Sequence, residues 1–191
     1  MPASSSTWQI DLATQRLRGA RWLPSPNYDA RPEGHAIDLL VVHAISLPPD
    51  EFGGPWIDAL FSNTLDPSAH PYFATIQGLT VSAHCCIFRD GSVTQYVAFD
   101  QRAWHAGASN WQGRTRANDF SIGIELEGCD TQPFEAAQYE ALAGVSRALL
   151  AAYPTLQTSG IAGHSDIAPG RKTDPGPLFD WPRFRRLLTA S

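Results

Sequence analysis

Cysteine is scarce in this 191-residue sequence: Cys85, Cys86 and Cys129 form an odd set, two of them adjacent, with no CxxC spacing. That argues against a disulfide framework and a cysteine-built zinc site, and leaves the thiols as small, inert apolar groups. Long apolar runs are missing as well. No stretch reaches the length of a membrane span, and the opening MPASSSTWQIDLATQRLRG has no apolar run of signal-peptide length. The expectation is a soluble, cytoplasmic protein without a membrane partner. A surplus of positive charge is absent too. The formal net charge of −5 offers no broad attraction for a polyanion, which speaks against nucleic acid as a partner. No repeat or low-complexity tract interrupts the chain, and its length with 43% hydrophobic content is that of one domain with its own core.

What is present is a sequence of short, well-punctuated elements. DLLVVHAIS is an almost continuous apolar run bounded by turn residues, which predicts a strand buried on both faces with His43 near its end. PWIDALFSN predicts a helix beginning at Pro55, and LDPSAHPYF reads as irregular chain. VSAHCCIFRDGSVTQYVAF predicts an antiparallel hairpin turning at Asp90-Gly91. After the polar loop RAWHAGASNWQGRTRAND, FSIGIELEG alternates as a strand should, putting Glu125 and Glu127 on one face and the isoleucines on the other. FEAAQYEALAGVSRALLAAYP predicts a long helix ending before Pro154. GIAGHSDIAPGRKTDPGP reads as a short strand running into a Gly/Pro loop, and DWPRFRRLLTA as a terminal helix capped by Asp180. Order is expected to begin near Arg21, after a flexible segment 1–20. This succession predicts one α/β (α+β) domain with a central mixed sheet flanked by helices.

Three segments place titratable side chains in an apolar strand or a rigid loop: VVHAIS, GIELEG and GHSDIAPGRKTDPG. Each has an ordinary explanation. His43 and His164 suit hydrogen-bonded core histidines, and Asp174 suits a turn aspartate before Pro-Gly. Together they supply two imidazoles and one carboxylate, the donor set of a catalytic zinc site with an open position. One net positive charge would then remain on the site, lowering the pKa of a bound water to about 7. Spacing alone does not link the three, since no compact motif such as HExxH joins them.

A resemblance does link them. PSPNYDARP, LLVVHAISLPP, EFGGPWIDALF, DPSAHPYF, VSAHC, RAWHAG, NDFSIGIELEG and GHSDIAPGRKTDPGPLFDW closely resemble segments of the anhydro-N-acetylmuramyl-L-alanine amidases of the AmpD type, from about Arg21 to Phe184. The resemblance implies a zinc amidase domain over 21–188 that cuts the bond between the lactyl group of anhydro-muramic acid and L-alanine. It implies metal ligands at His43, His164 and Asp174, and catalytic residues at Glu125 and Lys172. It also implies a small soluble muropeptide as the partner, and a monomer is expected. The rival functions are an amidase acting on intact peptidoglycan and a peptidoglycan-binding module without catalysis.

The chemistry agrees with these roles. Amide hydrolysis needs a nucleophile, a stabilised oxyanion and a proton for the leaving amine. Glu125 suits proton transfer and Lys172 a fixed charge at the oxyanion. Glu127 shares the strand face as a rival base, about 7 Å further along. Phage amidases and peptidoglycan recognition proteins commonly have cysteine and tyrosine where this chain has Asp174 and Ala83, so it sides with the AmpD branch. With Ala83 facing the site, alternation makes His84 a core histidine. Ala44 and Thr80 stand where relatives often carry asparagine and arginine, which removes two expected substrate contacts. Arg116 is the candidate for a stem-peptide carboxylate, and Trp104 and His105 for packing on sugar or peptide. His35 and His70 receive no role.

Overall fold

The computed structural model describes residues 8–190. In chain order these form β1 (Gln9–Asp11), β2 (Arg16–Arg18), β3 (Arg21–Trp22), β4 (Tyr28–Ala30) and β5 (Leu39–Ile45), then α1 (Trp56–Phe61) and α2 (Pro71–Thr75). Strands β6 (Cys85–Ile87), β7 (Val93–Gln95), β8 (Gln101–Ala103), β9 (Asn110–Trp111), β10 (Arg114–Thr115) and β11 (Ser121–Glu127) follow. The chain then forms α3 (Ala136–Ala152), β12 (Ile161–Gly163), the single turn α4 (His164–Ile167) and α5 (Trp181–Thr189).

The centre is a six-stranded mixed sheet in the order β12-β5-β11-β6-β7-β3. The first four of these run parallel, β7 is antiparallel to β6, and β3 is parallel to β7. The expected single α/β domain is therefore the one observed. The apolar run of β5 sits mid-sheet and buries both faces, as parallel strands do. One face sends Leu40, Val42, Ile122, Ile124 and Leu126 into a core closed by α3 and α5. On the opposite face Leu39 and Val41 pack with Phe120, Ala162 and Ile167. Alternation carries that second face onward to His43 on β5 and Glu125 on β11, and these two are direct register partners. A third cluster, with Phe61, Phe73, Cys86 and Tyr96, supports the neighbouring loops.

The β6–β7 hairpin has the register Cys85↔Gln95 and Ile87↔Val93, and Gly91 at its turn takes the positive φ of 83° for which glycine suits. Asp180 caps α5 as expected, its Oδ1 accepting from Arg183 N at 2.8 Å.

Three expectations need correction. Residues 8–20 are ordered, not part of a flexible 1–20 segment: β1 and β2 pair antiparallel from Gln9↔Arg18 to Asp11↔Arg16. Leu17 anchors this hairpin in the main core at 3% exposure, and its N–H donates to Gln95 Oε1 at 2.7 Å. Trp8 lies on Gly144 of α3, where a Cβ would stand 2.4 Å from the indole. The rest of the 1–20 expectation, residues 1–7, lies outside the described residues. LDPSAHPYF is not wholly irregular, because α2 starts after His70, whose Nδ1 accepts from Tyr72 N at 3.2 Å. Within RAWHAGASNWQGRTRAND the chain forms the end of β8 and the small β9–β10 ribbon.

Candidate active site

Three neighbouring elements bring the candidate ligands together. His43 is on β5; β12 pairs with β5 through Gly163↔Val42, so His164, the next residue, is beside it. The loop after α4 then folds back, with Ser165 N donating to the Asp174 carbonyl at 2.9 Å. The result is a triangle: His43 Nδ1 is 2.9 Å from His164 Nδ1, His43 Nδ1 is 3.1 Å from Asp174 Oδ2, and His164 Nδ1 is 3.0 Å from the same oxygen. A tetrahedral ion with bonds of about 2.0 Å has donor-to-donor edges of about 3.3 Å, so this donor set fits a zinc-sized cation. Both histidines are buried, at 1% and 3% exposure.

At His43 and Asp174 the surroundings favour the neutral ring and the ionised carboxyl. Burial pushes the His43 pKa down to about 4, against the raising effect of its bond to Asp174. For Asp174 burial acts upward, but its close contacts with the His164 and His43 rings outweigh it and hold the carboxyl well below its ordinary range.

Glu125 faces the same space. Its Oε2 is buried without a hydrogen-bond partner, and burial, with Asp174 nearby, pushes its pKa well above the carboxylate range while Lys172 pulls the other way. Glu127 differs sharply. Its Oε1 accepts from Gly53 N at 2.5 Å and its Oε2 from Arg89 N at 3.0 Å, so both oxygens are spent pinning loops. The rival base is thus a structural clamp.

A cavity of about 460 Å³ opens over these groups. Glu125, Lys172, Asp174 and the histidines form its polar side, and Leu47, Tyr72, Ile76 and Leu79 an apolar side. Lys172 is the only lysine in the chain, and among the described residues it has no ion pair. Trp104 lines the cavity with its indole N–H donated to Asp29 Oδ1 at 3.2 Å, an anchor that holds the ring in place. Ala44 also lines it, whereas Thr80 belongs to an adjoining hollow of about 170 Å³.

Other candidates fall elsewhere. Arg116 is not on the cavity wall; it takes a left-handed φ of 62° and pairs with Asp119 at 3.1 Å while 67% exposed. His105 touches the cavity, but both its ring nitrogens face protein groups, His43 Nε2 at 2.9 Å and Ser121 Oγ at 3.2 Å. His84 is a core histidine, but alternation did not turn it from the site: its ring lies 5.8 Å from that of His105, and Ala83 is not in the cavity lining. Its Nδ1 accepts from Gly123 N at 3.0 Å and its Nε2 donates to the Gln101 carbonyl at 3.0 Å. Sequence reasoning missed the apolar wall. Tyr72 and Leu79 remain 37% and 48% exposed there, and a large apolar side chain in a loop carries no periodic signal of its role.

The N-acetylmuramoyl-L-alanine amidase family model matches residues 33–177. A 1,6-anhydro-N-acetylmuramyl-L-alanine amidase AmpD from Escherichia coli K12 is 64% identical over 173 residues, 91% of this chain and 94% of the relative. Its counterpart from Haemophilus influenzae is 52% identical over 174 residues, 91% and 95% of the two chains. Among solved structures, a selenomethionine AmpD derivative superposes with a TM-score of 0.90 at 62% identity, covering 94% of this chain and 99% of that one. E. coli AmiD, in complex with the substrate anhydro-N-acetylmuramic acid-L-Ala-D-γ-Glu-L-Lys, gives 0.59 at 32% identity over 82% of this chain and 60% of that one. A converged His-His-Asp triangle on a mixed α/β sheet, with a family match over most of the chain, leads to one conclusion: the chain belongs to the N-acetylmuramoyl-L-alanine amidase family and is of its AmpD type.

Proposed function

We propose that this enzyme hydrolyses the amide between the lactyl group of 1,6-anhydro-N-acetylmuramic acid and L-alanine in soluble muropeptides, with one zinc ion held by His43, His164 and Asp174. The observation that carries this reading is the 2.9–3.1 Å triangle of donors beside the unpartnered Glu125 Oε2. Zinc bound there supplies Lewis acidity and acidifies a water, to a pKa of about 7 in comparable sites.

The chain's own residues do the rest. Glu125 Oε2 takes a proton from the attacking water and delivers it to the L-alanine nitrogen as the C–N bond breaks, which regenerates the carboxylate. The burial that raises its pKa also makes it a stronger base than a surface glutamate. Lys172 holds a positive charge on the cavity wall, where the carbonyl oxygen becomes an oxyanion; preformed charge in such a place needs no reorganisation during the reaction. Trp104, fixed by Asp29, offers a flat apolar face to sugar or peptide in a cavity that Tyr72 and Leu79 also line. Arg116 stays the candidate for a stem-peptide carboxylate, since its guanidinium is 67% exposed and its surface pair with Asp119 is readily exchanged.

Turnover of anhydro-muropeptides is supported by the relatives' names, and a cytoplasmic setting by unpaired thiols that suit a reducing compartment. One chain supplies every group named, so a monomer suffices. The test is a rate comparison between anhydro-muramyl tripeptide, the ordinary muramyl tripeptide and intact sacculi. Fastest release of tripeptide from the anhydro substrate is expected; faster turnover of sacculi would assign the enzyme to intact peptidoglycan, and binding without turnover would deny catalysis.

A further inference from the structure

A ligating imidazole has a second nitrogen, and the group meeting that nitrogen sets the tautomer and the ring's orientation. His43 Nε2 lies 2.9 Å from His105 Nδ1, and the two rings stand edge to face with centroids 5.0 Å apart. His105 Nε2 in turn lies 3.2 Å from Ser121 Oγ. Since His43 Nδ1 points at His164 and Asp174, a cation there needs its lone pair, and the ring proton belongs on Nε2. His43 therefore donates to His105 Nδ1, and His105 donates from Nε2 to Ser121. The other ligand is held in parallel fashion: His164 Nε2 donates to the Ala106 carbonyl at 3.1 Å.

His105 and Ala106 are adjacent, so one dipeptide addresses both ligand histidines. Its backbone is pinned, because the N–H groups of His105 and Ala106 both donate to Asn118 Oδ1, at 3.2 and 2.8 Å. The His105 ring fits only because position 123 of β11 is glycine, where a Cβ would stand 2.4 Å from the ring's Cγ. Nothing in this arrangement leaves a ring nitrogen of His105 for substrate.

We propose that His105 is a positioning residue, which with the Ala106 carbonyl locks both ligand histidines so that their Nδ1 atoms converge on Asp174. The proposal rests on the zinc reading above. The His105 imidazole and the Ala106 carbonyl add no negative charge, and Arg171, which donates to that carbonyl at 2.7 Å, adds a positive one, so a divalent ion with one carboxylate keeps its net positive charge, which a second-shell carboxylate would cancel.

The test measures the zinc dissociation constant by competition with a chromophoric chelator, for wild type, His105→Leu, His105→Asn and Ser121→Ala. The leucine side chain fills the space but cannot accept a hydrogen bond; the asparagine carbonyl can take the place of Nδ1. A loss of about 10- to 100-fold is expected for H105L, the scale of second-shell deletions, with H105N within about threefold of wild type. S121A frees the His105 tautomer that opposes His43 and is expected to weaken zinc several-fold. Wild-type affinity in H105L, or equal losses in H105L and H105N, overturns the positioning role. If H105L fails to fold, wild-type affinity in S121A does so instead. Wild-type protein that takes up no zinc refutes the metal reading itself, so the two failures are distinguishable.

Discussion

Two glutamates two residues apart on β11 show how hydrogen bonding assigns roles. Glu127 is buried but satisfied twice by backbone N–H groups, whereas Glu125 has an oxygen with nothing to accept. Glu125→Gln is expected to retain zinc and lose roughly 10²- to 10⁴-fold in kcat, the usual scale for a general base. Glu127→Gln is expected to act on stability, by about 1–3 kcal/mol in chemical denaturation, because the buried amide nitrogen then faces one of the two loop N–H groups that the carboxylate accepted from. Full activity in Glu125→Gln would move proton transfer to another group. Lys172 allows an unusually clean test, since amine acetylation can modify no other side chain amine. Loss of its charge is expected to lower kcat roughly 10²- to 10³-fold with zinc retained, as deletion of an oxyanion contact does. His84 gives a pH dependence. Burial first, then Arg31, pushes its pKa from 6.5 down to about 3 in the folded state. The unfolded chain therefore takes up the proton first, so this contribution to stability is complete above pH 6.5 and is lost as pH falls toward 3. Between these limits the slope is about 1.4 kcal/mol per pH unit for one such group. His84→Gln is expected to reduce the measured slope by that amount; an unchanged slope would mean that the wild-type imidazole is protonated in the fold.

The elements differ in how legibly the sequence announced them. β5, β11, α3 and α5 are long enough for their burial pattern to repeat, and the Asp90-Gly91 turn has its own chemistry, so all five features are readable from residues alone. Three-residue strands such as β1 and β2 contain a single period or less. Their order comes from distant partners, Gln95 for the Leu17 N–H and Gly144 for Trp8, which no local pattern reveals. Leu17→Ala is expected to destabilise the protein by roughly 2–4 kcal/mol through loss of buried side chain and the cavity left behind. Activity of the folded variant at low temperature should stay close to wild type, since the hairpin contributes nothing to the cavity wall. A drop in KM-corrected activity without loss of stability would show instead that the hairpin bears on the site.

At the scale of the molecule, the parallel half of the sheet does the assembling. β12, β5 and β11 lie side by side, and their ends and following loops deliver His164, His43, Glu125 and Asp174 to one pocket. The residue types were visible in the sequence, but His43 and His164 are 121 positions apart, so only the family resemblance joined them before the fold did. Arg116 lies off the cavity wall, exposed and paired with Asp119, so its assignment to a stem-peptide carboxylate rests on the sequence alone. The contact between His105 and His43 was equally illegible, because a loop histidine does not disclose which groups its ring nitrogens meet. The most direct measurement is a zinc titration of chelator-stripped enzyme, followed by tripeptide release from anhydro-muramyl tripeptide, beside Asp174→Ala. Activity rising to saturation at one zinc per chain, with neither zinc retention nor activity in the variant, is the predicted result; full turnover by zinc-free protein, or by Asp174→Ala, would contradict the account.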